Sequence, residues 1–309
     1  MKQILKLILI IVCGWGFSSE VKAQAAYLDK IFGPIVDAKM HGTDTVMKEV
    51  AGVDLNIRLV PEIMAHLNWR QLITELMFAK MRAGQLKVRN SHTWIADFGN
   101  AIENQKLKEA YIVASLSYSV SMGDMVSIQR EIKAALPLVK KPANIAKIKG
   151  LKPKIDMAMN LYKTALPGTD MSQFTFQNAN GEQVSIKDFK GKLVFVDIWN
   201  TGCKPCIAEI PYLKHLEHEM QGKDIVFLSV SCDYDLASWK RFLQKRNMTG
   251  QQLIMIGKKD TFFNKIGGGG IPRFVILDKE GKMLDYNCKR PSNPVLNIYL
   301  TELLNQPQS

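Results

Sequence analysis

Two cysteines separated by two residues, Cys203 and Cys206 in "WNTGCKPCIAEIP" (Trp199 to Pro211), are spaced to do chemistry. A CxxC pair can close a disulfide, hold a metal or exchange electrons with other thiols, and its surroundings decide among these. This pair follows a near-continuous apolar run, "LVFVDIW", and opens a segment that reads as a helix. That order puts Cys203 at a helix N-terminus, where unpaired amides and the helix dipole favour a thiolate. Lys204 adds a positive charge in the same direction, and Pro205 is tolerated because the first turn needs no amide donor there. Cys206 falls one turn further in. The placement predicts that Cys203 attacks a substrate disulfide and Cys206 resolves the mixed disulfide.

Two carboxylates stand where they can move protons. Asp197 lies in the apolar run, six residues before Cys203, and Glu209 lies six residues after it on the helix. A buried carboxyl keeps a raised pKa and can take the proton of Cys206. An exposed strand-end aspartate or helix glutamate would do neither.

A zinc site is a weaker reading. His215 and His218 follow the cysteines on the same helix, and one continuous helix cannot bring both pairs round one ion. Haem attachment fails because Ile207 stands where a histidine is required. The reading therefore calls for no metal and no cofactor. A thiol peroxidase would not need a second cysteine at this spacing. An adaptor, whose helical half binds a partner while the redox half tethers or senses, is a further alternative.

The elements that position the pair read as strands alternating with helices, then an antiparallel pair and a last helix: an α/β sandwich with a mixed sheet. "FTFQNANGEQVSI" reads as a hairpin with Asn180-Gly181 at its turn. After the CxxC helix come strand "IVFLSVS", helix "DLASWKRFLQKR", strand "QLIMI", short helix "DTFFNKI", strands "RFVIL" and "KMLDY", and a helix from about Pro294. From Tyr27 to Ala165 the texture is helical instead. Helices are expected from Pro61 to Gly84, near Ala101–Val120, after Asp124 as N-cap, and over Ile155–Thr164. His41, His66 and His92 are scattered there and carry no assigned role.

The chain has 309 residues and a formal net charge of +12. Its basic excess concentrates in "KKPANIAKIKGLKPK", Lys140 to Lys154, which reads as a solvated helix face and linker. No basic motif with interleaved aromatics points to nucleic acid. Lys2 and Lys6, an apolar run from Leu7 to Phe17 and the small-x-small Ala23-Gln24-Ala25 have the layout of a secretory signal peptide. The expected organisation is a signal peptide over 1–25, a helical domain over 26–165 and an α/β domain over 166–309. The protein is expected to be exported to the periplasm or cell envelope, soluble after cleavage or tethered by an uncleaved N-terminal segment.

The second half resembles the thioredoxin fold, and most of all the TlpA/ResA type of exported thiol–disulfide oxidoreductase. The residues that carry the likeness are "SIKDFKGKLVFVDIW", "CKPC", Pro211 and "GIPRFVILDKEGKM", over about Leu166 to Asn305. The resemblance implies that Pro272 is a cis-proline facing the pair and that Ile271 offers backbone groups to an extended substrate peptide. It matches Asp197 to the buried aspartate of thioredoxins, Glu209 to the active-site glutamate of ResA-like proteins, and Trp199 to the tryptophan beneath the active site. Lys204 and Pro205 form the rim between the cysteines. It implies protein disulfides as substrates, reduction as the direction, and a membrane thiol reductant that recycles the pair. Three positions depart from the pattern: Gly202 replaces an aromatic residue, Lys204 a glycine, and Arg273 a threonine. By the same analogy Cys232 and Cys288 end strands that are not neighbours, so two thiols are expected rather than a bridge.

Overall fold

A computed structural model of the protein describes residues 69–248, 250–255, 262–267 and 270–306. The expected signal peptide, the helix start at Pro61, His41 and His66 lie outside the described residues. The described residues form two compact units: 69–118 with 130–149, and 119–129 with 150–306.

The first unit is helical. Its elements are α1 (Trp69–Arg82), α2 (Trp94–Ala101), α3 (Gln105–Ser121), α4 (Met125–Ala135) and α5 (Pro142–Lys149). Residues 119–129, which are the end of α3, the turn after it and the start of α4, belong to the second unit. The helix expected near Ala101–Val120 is α3, which begins at Gln105 because Ala101 already closes α2. Ile102 leaves the helix in an extended conformation, and the Asn104 side chain accepts from the Leu107 amide to start α3. Helix α5 has no strong local signal. Glu109, far away in sequence, caps it by accepting from the backbone amides of Lys140 (3.0 Å) and Lys141 (3.1 Å) and from Asn144 Nδ2 (2.9 Å). Phe78 stacks on Trp94, and Phe98 meets both rings edge to face, in the core of this unit. The lysines from Lys140 to Lys154 are exposed, as a solvated face requires.

The second unit holds α6 (Lys152–Leu161), β1 (Thr175–Asn178), β2 (Gln183–Ser185), β3 (Leu193–Trp199), α7 (Lys204–Glu219) and β4 (Ile225–Ser231). It continues with α8 (Leu236–Lys245), β5 (Gln251–Met255), α9 (Phe262–Lys265), β6 (Arg273–Leu277), β7 (Met283–Asp285) and α10 (Val295–Leu304). The seven strands run in the order β2-β1-β5-β4-β3-β6-β7. Strands β3, β4 and β5 are parallel, and the outer pairings are antiparallel. This is the mixed sheet with flanking helices that the sequence predicts.

Every residue of β3 is buried, which is why its sequence reads as an apolar run rather than an alternation. The pleat still sorts its side chains. Leu193 and Phe195 join Leu213 and Leu216 of α7, Phe274 and Ile276 of β6, and Leu296, Tyr299 and Leu300 of α10 in one core cluster. Asp197 follows in the same period-two series. On α7 the buried residues Cys206, Glu209, Leu213 and Leu216 recur every three or four positions, so one stripe of the helix faces the sheet. Truncating Leu213 to alanine would cost roughly 2–5 kcal/mol and loosen the helix that carries both cysteines.

Two stretches that precede the hairpin also pack within this unit. Met122 O accepts from Asn287 Nδ2 at 2.7 Å, and Lys289 Nζ lies 3.3 Å from Ser127 Oγ and 3.6 Å from the Asp124 carboxylate. The Tyr162 ring, just after α6, lies against Tyr286 with centroids 4.6 Å apart.

Candidate active site

Cys203 is the N-cap of α7 and Cys206 lies in its first turn. The two sulfurs are joined in a disulfide with Cα atoms 5.2 Å apart. Cys203 Sγ also accepts a hydrogen bond from the Cys206 amide at 3.1 Å. The two cysteines differ in access. Cys203 is half-buried between exposed Gly202 and exposed Lys204 and Pro205, whereas Cys206 is 3% exposed. Cys232 and Cys288 are buried and outside any disulfide. β4 and β7, which precede them, are separated in the sheet by β3 and β6. Burial pushes the Cys288 thiol well above its ordinary value, so it is no competitor as a nucleophile.

Beneath the pair lies an apolar cluster of Trp199, Cys206, Trp239, Leu243 and Ile254, with Cys203, Phe242 and Ile271 packed against it. Trp199 is 1% exposed, so it supports the disulfide from below and offers no surface to a peptide. The Ile271–Pro272 bond is cis. Arg273 pairs with Ile198 across β3 and β6. One step further, Pro272 comes to the end of β3 from which the chain turns toward Cys203. Arg273 itself is buried and donates to Tyr286 O at 3.4 Å, away from the rim.

Asp197 is 7% exposed and lies on β3 between Ser229 of β4 and Phe274 of β6. Burial, and after it the charges of Glu209 and Glu217 on α7, push its carboxyl up to about 8. Glu209 is buried and its carboxylate is fully engaged: Oε2 accepts from the Ser292 amide and Oε1 from the Ser292 hydroxyl, both at 2.9 Å. Glu217, two turns further along α7, is half-buried and its carboxyl is raised by desolvation. His215 and His218 are exposed on the same helix, with His215 Nε2 3.4 Å from Glu219.

The turn before Cys203 is held by residues that no motif flagged. Asp233, just beyond β4, accepts from the Thr201 amide at 3.0 Å and the Thr201 hydroxyl at 2.8 Å. Ser231 closes the ring: its hydroxyl donates to Asp233 at 2.7 Å and accepts from the Asp233 amide at 2.9 Å. The Gly202 amide donates to Asn200 Oδ1 and the Cys203 amide to Asn200 O. The signal that could have found them is their place: a polar cluster, "SCDYD", at the carboxyl end of a parallel strand, where sites on open α/β sheets gather.

The Redoxin family model matches residues 166–297. The thiol-disulfide oxidoreductase ResA of Geobacillus thermodenitrificans (strain NG80-2) is 30% identical over 122 residues, which are 39% of this chain and 69% of the relative. ResA of Bacillus thuringiensis (strain Al Hakam) is 27% identical over 136 residues, 44% of this chain and 78% of the relative. The crystal structure of the thioredoxin domain of a thiol-disulfide oxidoreductase from Bacteroides vulgatus is 27% identical and covers 45% of this chain and 99% of that one, with a TM-score of 0.41. With a CxxC disulfide at the head of α7 and a ResA relative 30% identical and covered over 69% of its length, the chain belongs to the thioredoxin-like TlpA/ResA family of thiol–disulfide oxidoreductases.

Proposed function

We propose that this oxidoreductase works mainly as a reductase of protein disulfides, by dithiol exchange through Cys203 and Cys206. The observation that carries the reading is the unequal access of the two sulfurs, one half-buried at a helix start and one sealed a turn inside. In the reduced protein the Cys203 thiolate attacks one sulfur of a substrate disulfide. The other substrate sulfur leaves as a thiolate and takes up a proton. Cys206 then loses its proton and attacks Cys203, which releases the second substrate thiol and leaves the Cys203–Cys206 disulfide. Asp197, in its ionised form, is the proton acceptor for Cys206. A carboxyl that titrates near 8 is matched to a thiol of ordinary pKa about 8.5, so the proton passes with little free-energy difference. Glu209 tunes Asp197 by its charge, and Ile271 and Pro272 receive the substrate backbone beside Cys203.

The same reading makes residues 1–25 an export signal, residues 26–165 a helical domain, and residues 166–309 the redox domain. The pair is then recycled in the cell envelope by a thiol reductant of the membrane. Among the described residues no helix is long and apolar enough to cross a bilayer. Equilibrating the full chain with dithiol buffers of known potential tests the direction. A reductase lies near the roughly −270 mV of thioredoxin, and a potential near the roughly −120 mV of a strong oxidant overturns the reading.

A further inference from the structure

We propose that Tyr234 is a specificity-determining contact for an extended, disulfide-bearing polypeptide, reading an apolar side chain within about six positions of the substrate cysteine. The inference rests on the reading of protein disulfides as substrates and names the feature by which they are chosen.

Tyr234 is 87% exposed, more than any other large apolar or aromatic side chain among the described residues. At that exposure most of the side chain faces water. The backbone that carries it is nonetheless fixed on both sides. Asp233 before it is tied to Thr201 and Ser231 by hydrogen bonds of 2.7–3.0 Å. Asp235 after it caps α8, accepting from the Ala237 amide at 2.9 Å. A rigid aromatic held out in water is what recognition surfaces use, because tyrosine presents a large contact area with few rotatable bonds.

Its place is set by the same bonds. Thr201 stands two residues before Cys203, and Tyr234 is one peptide beyond the residue that grips Thr201. Between Thr201 and Cys203 the rim is bare: Gly202 is exposed, and a Cβ built on it would meet only Asn200 Oδ1, at 3.6 Å. Summed through Asp233, its hydrogen bond to Thr201 and the two steps on to Cys203, the path from the Tyr234 backbone to the reacting sulfur is at most roughly 20 Å, with consecutive Cα atoms ~3.8 Å apart. An extended peptide covers such a span in at most about six residues at ~3.3 Å each. Leu236, at the start of α8, is also exposed, at 36%.

Two disulfide-bridged peptides, identical except for leucine or glycine at alternate positions of the six residues on either side of the attacked cysteine, test this. Turnover by the full chain is driven by dithiothreitol and compared with that of bis(2-hydroxyethyl) disulfide. The native protein should prefer the leucine peptide. Tyr234→Ala should lower the ratio of kcat/KM on the leucine peptide to that on the small disulfide about tenfold, the usual loss at a contact that matters, and chiefly through KM. Tyr234→Phe should keep the ratio. A Tyr234→Ala ratio within twofold of the native one, on a native protein active toward peptides, overturns the role of Tyr234 alone. A native protein that reduces the small disulfide and neither peptide overturns the protein-disulfide reading and this inference with it.

Discussion

Glu209 gives both of its carboxylate oxygens to Ser292, one to the amide and one to the hydroxyl. The two residues are far apart in sequence, and the bonds join the redox helix α7 to the segment that leads into α10. Ser292→Ala removes one hydrogen bond to a charged acceptor and should cost about 1.5–3 kcal/mol in urea unfolding. Glu209→Gln presents an amide donor to one of two donors on Ser292, so it should destabilise by a similar amount and also change the pH–rate profile. Loss of stability in both variants with an unaltered profile in Glu209→Gln would make Glu209 a strut only.

Asp197 should make the protein less stable as pH rises. Native Asp197 holds its proton up to about pH 8, whereas the unfolded chain releases it near 3.9. Between those values the native state binds the extra proton, so unfolding free energy falls with increasing pH, at up to about 1.4 kcal/mol per unit. Asp197→Asn should flatten that slope by up to about 4 kcal/mol between pH 5 and 8 in urea titrations. Asp285, buried and pushed up to about 7 by desolvation and by Asp124, contributes its own slope to both proteins and leaves the difference intact. Turnover in Asp197→Asn should drop on the order of a hundredfold if the carboxyl moves the Cys206 proton. An unchanged rate would remove it from the mechanism.

Replacing Cys206 with serine deletes the resolving thiol, so mixed disulfides should accumulate through Cys203 and show as shifted bands without reductant. Cys203→Ser leaves only the buried sulfur and should trap few substrates. Equal trapping by the two variants would mean that access does not assign the roles.

Gly267 precedes the cis-proline loop with φ of +85°, a conformation other residues adopt only under strain. A Cβ there would run into the Tyr162 ring. Gly267→Ala should therefore cost about 1–3 kcal/mol for the backbone alone, with the clash added. Tyr162→Ala in the same chain should recover the clash, and the two changes should be strongly non-additive in thermal unfolding. Strict additivity would show that the ring yields freely.

The sheet was legible in the sequence because its signals are local. The unbroken run of β3, the Asn180-Gly181 turn and the Arg273–Leu277 strand each carry their own pattern, and CxxC at a strand–helix junction marked the site. The unread parts depend on partners remote in the chain. Nothing around Glu109 announces that it caps α5, and nothing around Ser292 points to Glu209. Thr201 and Asp233 look like ordinary loop polar residues until the sheet sets β3 and β4 side by side. Tyr162 lies outside the residues that the Redoxin model matches, yet its ring stands against the loop of Pro272 through Gly267.

The apolar cluster beneath the pair places two indoles, Trp199 and Trp239, in one packed group with Cys206. A disulfide quenches the emission of an indole it touches, and two thiols quench it less. The chain therefore carries a built-in optical gauge of its own oxidation state. Its emission should brighten on reduction and dim as substrate reoxidises it. Single turnovers can then be followed without a dye, on the native sequence, from the glow of residues that never meet the substrate.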